Sequence, residues 1–122
     1  MSNARRVHAH DAVVALPEDD DERAPGGAVT LALCGSWTHE PPCPLASHAT
    51  TAARADGELR LRVLFACDPD DEPRVRRLVQ EALARGECEG PDGVRTTWRL
   101  LRAGASAVRP DERGHAARLA GG

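Results

Sequence analysis

The chain contains no lysine, isoleucine or tyrosine, and only one phenylalanine, one methionine and two tryptophans among its 122 residues. These absences remove whole chemistries. Without lysine there is no Schiff-base amine and no P-loop lysine, and without tyrosine there is no phenolic acid or base. Every permanently cationic side chain is an arginine, a usage bias of GC-rich coding such as bacterial genomes carry. No run approaches the roughly 20 apolar residues that a membrane-crossing helix requires. A collagen-like glycine period and a sustained heptad are also missing. Neither a glycine-rich phosphate loop, a His-Glu-x-x-His run nor a Gly-x-Ser-x-Gly elbow occurs.

Charge is distributed unevenly. The net −3 resides in residues 1–27, where Asp11 and the run Glu18 to Glu22 outweigh Arg5, Arg6 and Arg23. The remainder is neutral, which argues against nucleic acid as a partner, because duplex binding rests on a basic surface. The acidic run, followed by Pro25-Gly26-Gly27, reads as a solvated linker. Val13 to Leu16 is shorter than the about 7–15 apolar residues of a signal-peptide core, so the cytoplasm is the expected compartment. The expected organisation is a flexible acidic N-terminal segment (1–27), a single α+β domain (28–103) and an Ala/Gly/Arg-rich C-terminal tail (104–122).

Apolar periodicity sets the expected elements. Val29, Leu31 and Leu33 alternate, which predicts a strand near 28–34. Residues 35–47 carry three prolines and read as a loop. A second strand near 48–54 and a third near 58–66 are joined by Asp56-Gly57, a strong signal for a tight hairpin. Leu59, Leu61, Val63 and Phe65 share one face of the third strand. Asp68-Pro-Asp-Asp-Glu-Pro73 is a helix-start signature, and Val75, Leu78, Val79, Ala82 and Leu83 then recur at helical spacing. That helix, about 71–85, ends at Gly86. A strand near 94–102 follows, with Val94, Thr96, Trp98 and Leu100 inward, and residues 110–120 form at most a short helix. The predicted fold class is α+β: a mostly antiparallel four-stranded sheet with one helix packed on one face.

One cluster carries chemistry. Cys34, His39, Cys43 and His48 are spaced Cys-x4-His-x3-Cys-x4-His. Zinc takes four nitrogen or sulfur ligands in a tetrahedron, and two Cys with two His is a standard set. Prolines at 41, 42 and 44 stiffen the segment and reduce the entropy lost on organising it. If the hairpin forms, Cys67 emerges at the same end of the sheet as this segment, which makes it a spare ligand or second thiol, while Cys88 lies at the far end. The function expected on these grounds is a small intracellular zinc-binding protein with a structural site. It would act as a non-catalytic accessory or interaction module that presents Trp37 and Glu40 to a protein partner through residues 35–47.

Other arrangements compete with that reading. A thiol- or metal-dependent enzyme could use the same segment, with Cys34 or Cys43 beside His39 or His48 and Glu40 as orienting acid. Without a metal, Cys34 and Cys67 are ordinary core thiols. Arg60, Arg62, Arg95, Arg99 and Arg102 could line an outer sheet face, but exposed aromatics on which RNA bases stack are absent. His8 and His10 could bind a metal, yet on a mobile N-terminal segment they are expected to be solvated. Gly121-Gly122 resembles the diglycine tail of ubiquitin-like sulfur carriers, but those chains begin with a hairpin that lacks a Cys/His segment.

Overall fold

A computed structural model of the chain describes residues 5–34, 46–90 and 92–121. The elements are β1 (Arg6–Ala15), α1 (Ala24–Cys34), β2 (Ser47–Ala55), β3 (Glu58–Cys67), α2 (Glu72–Arg85), β4 (Glu87–Glu89), β5 (Arg95–Thr97), β6 (Arg99–Ser106) and α3 (Arg113–Gly121). The α+β class and the four-stranded antiparallel sheet are as expected. Its order is β2-β3-β1-β6, and β4 and β5 form a separate two-stranded ribbon. Three helices are present among the described residues rather than one.

The central strand comes from the segment expected to be flexible. β1 pairs with β3 along its whole length and with β6 on its other side. Both of its faces are covered: Ala12 and Val14 join the main core, while Ala9 and Val13 are buried opposite. The acidic turn that follows is tied down as well. Arg54 on β2 donates to the carbonyls of Leu16, Pro17 and Asp20 and pairs with Glu22 at 3.3 Å.

The strand expected near 28–34 is instead the helix α1. The alternation is short, and Ala28 and Ala32 fit a helix as well as a strand, so Thr30 alone marks a polar face opposite the apolar one. Burial falls at Ala28, Val29 and Leu33, which is helical spacing. Pro25 sits in the first turn, where its missing N–H costs nothing, and Thr30 bonds back to the Gly26 carbonyl at 3.2 Å.

The β2–β3 hairpin forms on Asp56 and Gly57, both at positive φ (52° and 78°), as the dipeptide predicts. Leu59, Leu61, Val63, Phe65 and Cys67 point to the face covered by α1 and α2. A 3-10 turn at Pro69–Asp71 leads into α2, whose Val75, Val79 and Leu83 are fully buried. Gly86 ends it at φ 75°, where the Trp98 carbonyl leaves no room for a side chain. The single strand expected near 94–102 is broken at Trp98 into β5 and β6; Thr96 and Trp98 are buried, and Val94 is exposed. α3 lies on the opposite face against β1, β2 and β3, with Ala116 buried. No helix among the described residues is long and apolar enough to cross a membrane.

Candidate functional site

Two groups of chemically capable side chains flank Phe65 in one row across the inner face of the sheet. Phe65 pairs with His48 on β2 and with His8 on β1. Residues paired directly across an antiparallel ladder share a face.

On the β2 side, helix α1 sets the geometry. A side-chain carbon at Gly26 would sit 3.4 Å from Thr50 Cγ2, and Thr30 Oγ1 lies 3.1 Å from His48 Nε2. α1 therefore runs along β2 toward the sheet end where β2 begins, and it terminates there at Cys34. His48 Nδ1 lies 3.3 Å from the Ala46 carbonyl oxygen, the bond that places the ring proton on Nδ1. An open cleft of about 430 Å³ between α1 and β2 is lined by Glu22, Arg23, Gly26, Thr30, His48 and Thr50.

Of the five residues singled out as metal ligands, Cys34 closes α1, His48 lies at the start of β2, and Cys67 closes β3 at the same end of the sheet. His39 and Cys43 lie outside the described residues, as do Trp37 and Glu40. Cys67 is fully buried among core side chains. Burial pushes its thiol up to about 11, with Asp71, Glu72 and Asp68 adding to the effect. Cys88 lies on β4, reached after α2 has carried the chain about 20 Å away from that end. Its thiol is also raised, by burial and then by Glu89. Among the described residues, no group of three or more His, Cys, Asp or Glu is gathered closely enough to hold a metal.

The β1 side holds a cluster that the sequence reading left in solvent. His8 and His10 stand two residues apart and face inward under α2. His10 is 3% exposed, and its Nδ1 lies 3.0 Å from Arg76 Nη1. The same nitrogen of Arg76 donates to the Ala9 carbonyl at 2.8 Å, and Arg76 Nε donates to Glu72 at 2.8 Å. His8 Nδ1 lies 3.6 Å from Glu72 Oε1. The Arg76 guanidinium and the His8 ring both lie against Phe65, at 5.2 and 5.3 Å. Burial lowers the pKa of both histidines; Glu72 counters it at His8, and Arg76 reinforces it at His10. Counting histidine as polar hid this strand; counted as packable, positions 8, 10, 12 and 14 trace one inward face. Comparison of the chain with protein-family models, with curated proteins and with solved structures finds no match in any of the three.

Proposed function

We propose that this chain is a small non-catalytic protein that binds zinc through Cys34, His39, Cys43 and His48, and uses the segment between them to engage a protein partner. The ion would be structural, fixing the segment that presents Trp37 and Glu40 to that partner. The supporting observation is the convergence of the segment's two ends: α1 delivers Cys34 to the sheet end where His48 enters β2. His48 is suited to the task, because a proton on Nδ1 leaves Nε2 as a lone-pair donor. Drawing Nε2 away from Thr30 strands nothing, since the one hydrogen of the Thr30 hydroxyl, released from the imidazole, turns to the Gly26 carbonyl at 3.2 Å. The buried, protonated thiol of Cys67 stays outside the ligand set in this reading. We place the protein in the cytoplasm, where reduced thiols serve as ligands rather than forming disulfides.

Elemental analysis of the reduced, purified protein tests the reading. About one equivalent of zinc is expected, lost in Cys43→Ser and retained in Cys67→Ala; protein that folds without stoichiometric zinc contradicts it. The competing thiol enzyme predicts one cysteine far more reactive toward iodoacetamide than the others.

A further inference from the structure

Two imidazoles on the inner face of β1 each hold one nitrogen without a hydrogen-bond partner. Nε2 of His8 and Nε2 of His10 are both buried and complete no hydrogen bond of good geometry among the described residues, although the Gln80 side chain lies beside the His10 ring. A guanidinium only donates, so His10 Nδ1 is the acceptor of its bond to Arg76, and the ring proton sits on Nε2. That bond exists only while His10 is neutral.

We propose that the His10–Arg76 contact is an acid-operated latch between α2 and β1, closed while His10 is neutral and released when it takes up a proton. The incoming proton must go to Nδ1, the atom that accepts from Arg76. The hydrogen bond is then lost, and two cations face each other across 3.0 Å. Arg76 also carries the bond from α2 to the Ala9 carbonyl, so the group driven away is the one that ties the helix to the strand. His8 acts in the same direction. Once charged, it attracts Glu72, the carboxylate that otherwise neutralises Arg76.

Two neighbours, the Gln80 side chain and the Asp11 carboxylate, favour charged His10, and burial and Arg76 oppose them. From α2 it is faced by Arg76, with Gln80 beside the ring; Glu72 is engaged by Arg76 and His8. From β1 the charged neighbours are Arg6, which disfavours protonation of His8, and Asp11, which favours it at His10. Asp11 is held by Arg62 at 2.8 Å. The strand partners are apolar, Val63 on β3 and Ala105 on β6. The balance of burial and Arg76 against Asp11 and Gln80 keeps His10 below its ordinary 6.5.

Ring-resonance titration of the full chain, read beside Trp98 fluorescence in a Trp37→Phe background, tests the latch. Trp98 Nε1 donates to the Leu83 carbonyl in the last turns of α2, so its emission reports how that helix is seated. His10 is expected to titrate below 6.5, with roughly a tenfold loss of proton affinity per unit of lowering. The fluorescence change is expected to share its midpoint. His10→Asn presents an oxygen to Arg76 and takes no proton, so it should abolish the fluorescence change that accompanies His10 titration. Arg76→Gln, which removes the opposing cation, should move the His10 midpoint up toward 6.5. A His10 midpoint at or above 6.5 overturns the proposal. So does a transition that persists unchanged in His10→Asn, or a His10 midpoint unmoved in Arg76→Gln.

Discussion

The two faces of the sheet solve the same problem, anchoring a helix through an arginine, to different degrees of completeness. On the outer face, Arg62 of β3 donates twice to Glu112 at 2.7 Å, to Asp11 at 2.8 Å, to Ser106 Oγ at 3.0 Å and to the Ala107 carbonyl at 2.7 Å. This fork-to-carboxylate clamp fixes the turn that leads into α3, a helix with little apolar surface of its own to bury. On the inner face, Arg76 spends one donor on a histidine whose other nitrogen is orphaned. The apolar contacts of Val75, Val79 and Leu83 make up the difference there. A fully satisfied polar network holds under conditions in which a partly satisfied one is the first place to open.

Arg62→Met keeps the apolar stem and leaves Glu112 and Asp11 without their cation. Losing one partner of a mostly buried pair is expected to cost about 2–4 kcal/mol, read as a lower urea midpoint; a cost near zero would show that the clamp is decorative. Gly86→Ala attacks the inner helix without touching charge. The added carbon would lie 2.6 Å from the Trp98 carbonyl oxygen at a φ of 75°, and a loss of roughly 1–3 kcal/mol is expected by thermal unfolding. Trp98→Phe removes the bond to the Leu83 carbonyl and should cost about 1–2 kcal/mol in the same assay.

The smallest effect, and the sharpest, is in pH. His8 and His10 titrate below 6.5 in the folded chain, so the unfolded chain takes up protons first. Their contribution is complete above 6.5 and declines as pH falls through that value toward the folded one. Arg62 holds Glu112 down to about 2, so the clamp's contribution is complete above 4.5 and is lost only as pH falls toward 2. Denaturant titrations at pH 7 and pH 5 should therefore show the same loss of stability in wild type and Arg62→Met.

What could be read from the residues follows from how much of each signal is local. Asp56-Gly57 specifies its turn through two positive φ values, and α2 carries a charged face opposite Val75, Val79 and Leu83, so both were legible. β1 was not, because it is buried on both faces and places two histidines inward, while the adjacent acids at 18–22 made the whole segment read as solvated. In α1, Val29, Leu31 and Leu33 satisfy period 2 while the interspersed alanines equally allow period 3.6, so the residues alone do not separate strand from helix. The bond between Arg62 and Glu112 spans 50 residues, and no local pattern announces it. For the proposed zinc ligands, spacing suggested a shared location; the fold brings Cys34, His48 and Cys67 to one end of the sheet, and His39 and Cys43 fall outside the described residues.

Hydrogen exchange followed along the chain at pH 7.5 and at a pH below the His10 midpoint found by titration, corrected for intrinsic rates, tests the contrast between the two faces directly. Amides of α2 and of the β1–β6 edge should lose protection at the lower pH while those of α3 keep theirs. Loss of protection in α3 before α2, or equal loss in both, would contradict the account.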